Sequence, residues 1–254
     1  RYQSAELLED VIQVGRKLGF ESIGVDQIFG LPCQTAETFA SSLESLISLA
    51  PDWVECHQFV KRARHFPHQA ALLEEKLPSL ADKLMMYNTL NECMDSADYT
   101  PVGLNLFVQP THRLARSFAD GDLSLNAYGY HCHEATAVLG VGLAAISELP
   151  GVVLQNSGSS ELWQQSVAHG LVTEKMGIVN DNEQIEFRHL LRQLMCNQPV
   201  SLNAGEKPLA DQRLAVLVQS GLVEYKQDMI GITEYGREWL PQLLMDSSPA
   251  FRSI

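Results

Sequence analysis

The residues with chemistry to offer are few and widely spaced. Asp26 stands just after Val25 and just before Ile28 and Phe29 in "FESIGVDQIFGLPCQT", Phe20 to Thr35. A carboxylate among apolar neighbours costs free energy unless something satisfies it. It can cap the following turn by accepting from backbone N–H groups, or it can bind a ligand beside a turn stiffened by Gly30 and Pro32. "YHCHE", Tyr130 to Glu134, offers two imidazoles, a thiol and a carboxylate. On a strand His131 and His133 would share a face, which is the beginning of a metal site. No second ligand pair lies at a familiar spacing, so solvated loop histidines are the default and no metal ligand is assigned. "LGVGLAAI", Leu139 to Ile146, holds a glycine pair that permits close approach of backbone to a ligand, or close packing of strand on helix. The five cysteines, Cys33, Cys56, Cys93, Cys132 and Cys196, form no CxxC or CxxxC pair. Such scatter argues for reduced thiols and against a local iron–sulfur or zinc loop. No GxSxG, P-loop or HExxH occurs.

The elements that must position these residues follow from the apolar spacing. Ser4 precedes a helical pattern at Leu7, Leu8, Val11, Ile12 and Leu18, with Gly19 as its stop. "SIGVDQIF" reads as a short strand with Asp26 at its end, and "GLP" turns the chain into a helix beginning at Thr35. "DWVECHQF" reads as a second strand, with His57 to Val60 at its end. Helix–strand–helix–strand with short links predicts a parallel sheet or barrel with helices outside. Ser79 caps a long helix, Tyr99 to Phe107 reads as a third strand, and a fourth, apolar strand ends at Ile146. In parallel α/β folds ligands bind at the carboxyl ends of strands, which directs attention to Asp26, His57 to Val60, Asn105 to Val108 and Ala145 to Ser147.

Beyond about residue 155 the character changes. Helices over 161–169, 182–196 and 207–221, a hairpin in "LVEYKQDMIGIT" and a last helix capped by Thr233 predict a helical, winged-helix-like domain. The expected organisation is an α/β domain over 1–155 and this second domain over 156–254. Winged helices often bind DNA, but here Arg213, Lys226 and Arg237 are balanced by Asp211, Glu224 and Asp228. The whole chain of 254 residues carries 31 acidic and 18 basic side chains, a net charge of −13. That charge repels nucleic acid and anionic membranes. With 45% apolar residues, no run long enough to span a bilayer and no signal-peptide layout at "RYQSAELLED", a cytoplasmic, monomeric globular protein is expected. The chain starts at Arg1 rather than methionine, which predicts a fragment.

Several stretches resemble a known family in its own order. "SIGVDQIFGLPCQTAETFASSLESLISLAPD", "LPSLADKLMMYNTLNECMDSADYTPVGLNLF", "GVGLAAIS", "QNSGSSELWQQSV", "LVTEKMGIVNDNEQIEFRHLLRQLMCN" and "GLVEYKQDMIGITEYGREWL" are similar to the oxygen-independent coproporphyrinogen III oxidases, radical S-adenosylmethionine (SAM) enzymes of haem and porphyrin synthesis. The resemblance implies the later strands of a partial (β/α) barrel with a C-terminal helical domain, a [4Fe–4S] cluster and two SAM molecules. Carried over by position, Arg1 and Asp26 would hold the second SAM, whereas Val60 and Ile146 would line the first. The implied reaction is oxidative decarboxylation of propionate side chains to vinyl groups, with a porphyrinogen as substrate and an electron donor to the cluster as partner.

Two departures qualify that expectation. The family's CxxxCxxC is absent from this sequence, so no catalytic residue is assigned within it and the cluster ligands are expected upstream of Arg1. The family's "NYAHLP" and "GMDHFA" stretches are replaced by "HQFVKRARHFP" and "GLNLFV", on the expected substrate side. A paralogue that acts on or carries haem, with Lys61, Arg62, Arg64, His65 and His68 meeting its carboxylates and iron, is the alternative within the superfamily. A non-catalytic binding protein is the alternative outside it.

Overall fold

The computed structural model describes residues 4–237 apart from 65, 172 and 204. Two compact units divide the chain, Arg1–Arg116 and Ser117–Ile254. In the first, helix α1 (Ala5–Lys17) starts where the Ser4 hydroxyl accepts from the Leu7 N–H at 3.2 Å. Strand β1 (Gly24–Phe29), helix α2 (Ala36–Ser48) and strand β2 (Trp53–Gln58) form a crossover unit. A reciprocal Thr35–Thr38 capping box opens α2, and Ser79 with Asp82 opens α3 (Leu80–Ser96) in the same way. Strands β3 (Thr100–Val102) and β4 (Leu106–Val108) and helix α4 (Arg113–Asp120) follow.

The sheet order is β1-β2-β4-β3, with β1 and β2 parallel and β4 antiparallel to both β2 and β3. One face packs on α2 and α3 through Phe29, Phe39, Leu43, Val54, Cys56, Met86, Leu90 and Phe107. The expected third strand is therefore a tight hairpin, turned at Gly103 with its φ of 62°. The fold is mixed α/β, and among the described residues no closed barrel is present. Asp26 lies third of six residues in β1 rather than at its end, because the pairing with β2 continues to Phe29↔Gln58.

Asp52 locks the start of β2. Its carboxylate accepts from the Ile23 N–H at 2.7 Å and from the Arg16 guanidinium at 3.1 Å, which ties α1 to the first strand pair. Gly24 pairs with Trp53 across the strands, and a Cβ on Gly24 would overlap the indole ring. The absence of a side chain is thus what lets Trp53 lie across β1.

The second unit holds hairpin β5 (Ser124–Asn126) and β6 (Gly129–His131), then the antiparallel β7 (Ile146–Leu149), β8 (Val152–Asn156) and β9 (Glu174–Val179), with helix α5 (Ser160–Ala168) between the last two. Helices α6 (Asn182–Met195) and α7 (Glu206–Gln219) pack with β10 (Val200–Ser201), β11 (Val223–Lys226) and β12 (Met229–Ile232) around Leu190, Leu194, Leu214 and Ile230. The Thr233 hydroxyl accepts from the Gly236 N–H at 2.8 Å, as a helix start requires; the rest of the segment expected to be helical lies outside the described residues. The fourth strand is corrected. Leu139 and Val141 are 74% and 92% exposed in a loop, and Ile146 opens β7 rather than ending a strand. No helix among the described residues is long and apolar enough to cross a membrane.

Gly24→Ala is expected to cost about 1–3 kcal/mol through overpacking against Trp53, read by urea denaturation. A second expectation concerns pH. His112 Nδ1 accepts from the Leu114 N–H at 3.2 Å, and Nε2 meets Ser22 Oγ at 2.9 Å. Burial, then the neighbouring Arg113, holds the imidazole below its usual value, with Asp52 opposing. The folded state therefore binds fewer protons than the unfolded chain just below the ordinary histidine value. Stability falls as pH drops from about 6.5 through the folded value, and His112→Asn flattens that fall in denaturation curves collected between pH 7 and 5.

Candidate functional site

The face of the first sheet turned away from α2 and α3 carries the polar groups. Alternation along β2 sends Val54 and Cys56 into the core and Glu55 and His57 to the opposite face. Parallel register sets Asp26 beside Glu55 and Ile28 beside His57. Asp26, Glu55 and His57 thus converge, each offering one ligand atom within 4.8 Å of the others. His57 Nε2 is 3.7 Å from Glu55 Oε1. Asn105, just before β4, aims its amide at the same group: Nδ2 is 3.4 Å from Glu55 Oε1, 3.2 Å from the Cys56 carbonyl and 3.4 Å from His57 Nδ1. Its own carbonyl accepts from the Cys56 N–H at 2.9 Å, which fixes it at the strand.

Burial is the main reason that the Glu55 carboxyl is held above its usual range, with the charge of Asp26 adding to it; His57 and the Asn105 hydrogen bond pull the other way. The Asp26 carboxylate accepts no hydrogen bond among the described residues. The turn after β1 is capped by a different side chain, since Gln34 Oε1 accepts from the N–H groups of Gly30 and Leu31 at 2.7 and 3.1 Å. The loop-cap reading of Asp26 is therefore replaced. It stands exposed, next to a second carboxylate, on the sheet face turned away from α2 and α3.

The other expected site residues are distributed. Arg1 lies outside the described residues. Val60 follows β2, 42% exposed, just after Phe59 donates to the Phe29 carbonyl at 2.7 Å. Ile146 is in the second unit, where its N–H donates to the Tyr128 hydroxyl and its carbonyl accepts from that same hydroxyl, each at 2.7 Å. "YHCHE" gathers no ligand set: His131 closes β6 against Asn126, and Glu134 turns to His189 at 3.5 Å. Lys61 is already engaged by Glu74 and the Leu72 carbonyl at 2.7 and 2.6 Å, and His65 lies outside the described residues. The sequence reading placed His57 and Asn105 among the strand-end residues to inspect but missed Glu55. The signal was present in the i, i+2 spacing of Glu55 and His57, but the neighbour on β1 depends on register.

The second unit contains a cavity of about 490 Å³, lined in part by His133, Glu148, Arg188, His189 and Arg192. Glu148 is 8% exposed and lies 2.6 Å from Arg192 and 4.0 Å from Arg188. Burial, then Arg192, pushes the Arg188 guanidinium below its usual value while Glu148 supports its charge. This is a buried ion triad of the structural kind.

No family model matches the chain. The oxygen-independent coproporphyrinogen III oxidase of Pseudomonas aeruginosa is 30% identical over 197 residues, 78% of this chain and 43% of that protein. Its counterpart in Salmonella typhimurium is 28% identical over 255 residues, 96% of this chain and 56% of that protein. A solved structure of coproporphyrinogen III oxidase from Escherichia coli, described as a radical SAM enzyme, superposes with a TM-score of 0.84 at 27% identity, covering 96% of this chain and 59% of that one. The chain belongs to the oxygen-independent coproporphyrinogen III oxidase family. It spans about half the length of the curated relatives it matches.

Asn105→Ala is expected to cost about 1–2 kcal/mol, since it leaves the Cys56 carbonyl without this donor and Glu55 without its amide. Asp26→Asn, at an exposed position, stays within about 0.5 kcal/mol of the parent. Parallel urea denaturation of the two variants checks both.

Proposed function

We propose that this chain is the later part of a radical SAM oxidoreductase that decarboxylates the propionates of coproporphyrinogen III to vinyl groups in anaerobic haem synthesis. The observation that carries the reading is the pair of adjacent carboxylates, Asp26 and Glu55, on the face turned away from α2 and α3 of a sheet whose fold follows a coproporphyrinogen III oxidase over 96% of the chain.

The residues present fit one implied cofactor and not the other. A carboxylate that accepts no hydrogen bond among the described residues, with a second carboxylate beside it, suits the cationic end of SAM. Asp26 would accept from its ammonium or a ribose hydroxyl, and Arg1 would pair with the methionyl carboxylate. Val60 would line the first SAM through its exposed side chain. Ile146 would do so by apolar contact, since its backbone polar groups are taken by Tyr128. A [4Fe–4S] cluster needs several convergent thiolates. The five cysteines do not fit it: burial pushes the Cys56 thiol well above its usual range and the Cys196 thiol up to about 12, and no three cysteines gather. In this reading the cluster ligands belong to sequence outside this chain.

When bound, SAM and the cluster together supply the carbon-centred radical that takes a hydrogen atom from the propionate. The task of this chain is to orient SAM by its charged ends and to shape the porphyrinogen side of the site. A porphyrinogen substrate, an electron donor to the cluster, a monomeric state and a reducing cytoplasmic setting belong to the same proposal.

The test uses the full-length protein, reconstituted without oxygen and given coproporphyrinogen III with haem as competitor. Vinyl product with release of carbon dioxide supports the reading. SAM cleavage without decarboxylation, or with consumption of haem instead, overturns it in favour of the haem-directed paralogue. Asp26→Asn should raise the SAM concentration for half-maximal turnover about tenfold or more, the loss of one charge-assisted contact; unchanged turnover at limiting SAM removes Asp26 from the site.

A further inference from the structure

We propose that the cavity of the second unit binds a carboxylate attached to an apolar body, with the Arg188 guanidinium as the group that holds the carboxylate. The site goes beyond the proposed function, which assigns nothing to this cavity, and it shares no residue with the carboxylate pair of the first unit.

Three observations carry it. First, the ion triad that seats α6 on β7 holds one cation more than it neutralises. Arg188 and Arg192 stand one turn apart on α6, and among the described residues Glu148 is the carboxylate that both of them face. Glu148 Oε1 accepts from Arg192 Nη2 at 2.6 Å, whereas Arg188 Nη2 stops 4.0 Å from that same oxygen, beyond hydrogen-bond reach. Second, Arg188 carries donors that find no acceptor. Its side chain is only 12% exposed, yet its guanidinium makes no hydrogen bond among the described residues. Buried groups of this kind are normally satisfied. Gln198 lines the same cavity, and its buried Nε2 likewise meets no acceptor. Third, the space has the size and the walls for a ligand. Its volume of about 490 Å³ falls among small-molecule sites. Val138, Leu149, Val153 and Ile185 supply an apolar wall, on which Ile185 is still 39% exposed.

The charges narrow the ligand. One surplus positive charge calls for one negative charge. A phosphate dianion would bring a second negative charge beside Glu148. A monocarboxylate matches the planar fork of Arg188 with two parallel hydrogen bonds and leaves no charge over. The other titratable groups on the wall, Asp122, His133, Glu134 and His189, are exposed, and Glu134 faces His189 at 3.5 Å; solvent screens them from the buried end. A bound carboxylate would reinforce what Glu148 does for the Arg188 charge, against burial and Arg192. Two sources carry this chemistry, a free small acid and the propionate arm of a tetrapyrrole.

The 254-residue chain is titrated with phenylpropionate by calorimetry, and the Arg188 side chain is followed by NMR. One equivalent is expected to bind saturably and to shift the Arg188 Nε–H signal. Phenylpropionamide, of the same shape without the charge, should bind at least about tenfold more weakly. Arg188→Lys keeps a cation near Glu148 but removes the planar fork. It should weaken binding of the acid about tenfold while the melting curve stays near the parent's. Coproporphyrin III is then added as competitor: displacement of phenylpropionate identifies a tetrapyrrole propionate as the source, and no displacement identifies a free acid. Absence of saturable binding, equal affinity for acid and amide, an unmoved Arg188 signal, or parental affinity in Arg188→Lys overturns the site. No arm contains SAM or alters Asp26, so these outcomes are separate from the SAM test of Asp26→Asn.

Discussion

The parallel pairing of β1 with β2 is the constraint on which the first unit depends. In a parallel pair the residues side by side face the same way, so Gly24↔Trp53 and Asp26↔Glu55 stand on one face and Val25↔Val54 on the other. A slip of β1 by one residue would carry Asp26 into the apolar layer between sheet and helices. The register is held from several directions. Asp52 bonds the Ile23 N–H and Arg16 at the start of the strands, Trp53 fits over the bare Cα of Gly24, and the apolar residues of α2 and α3 accept only one face.

The two units treat buried carboxylates in opposite ways, and the contrast separates architecture from ligand chemistry. Glu148 in β7 is enclosed and matched by Arg188 and Arg192 from one face of α6, so its charge helps to seat helix on sheet. Glu55 in β2 has a like charge on one side and an imidazole beyond hydrogen-bond reach on the other. A half-buried carboxylate served only by an imidazole and one long amide hydrogen bond costs stability, and such costs persist where a bound partner offsets them.

Much of the fold was legible in the chain. Ser4, Thr35, Ser79 and Thr233 mark helix starts because a hydroxyl there satisfies an otherwise orphaned N–H, an interaction within a few residues. Asn182–Met195, Glu206–Gln219 and the hairpin Val223–Ile232 follow from local periodicity. The misread segments are those where local pattern is indifferent to partner. Tyr99–Phe107 is apolar enough for one strand, but Gly103 folds it into a hairpin whose second arm runs antiparallel to β2. Leu139–Ala145 is as apolar as a strand, yet among the described residues it forms a loop whose one backbone hydrogen bond to β8 lies at its end, where the Asn156 N–H donates to the Ala145 carbonyl at 2.9 Å.

By itself the sequence determined the caps, the helices, the apolar faces, the family resemblance and the presence of an ill-placed carboxylate at position 26. Each rests on side-chain chemistry or on spacings of a few residues. Only the tertiary structure decided that Gln34, and not Asp26, satisfies the turn, and that Glu55 and His57 stand beside Asp26 with the Asn105 amide on both of them. Those neighbours lie 29, 31 and 79 residues along the chain from Asp26. They are selected by strand register, which arises from the packing of whole elements and has no signature in any short stretch.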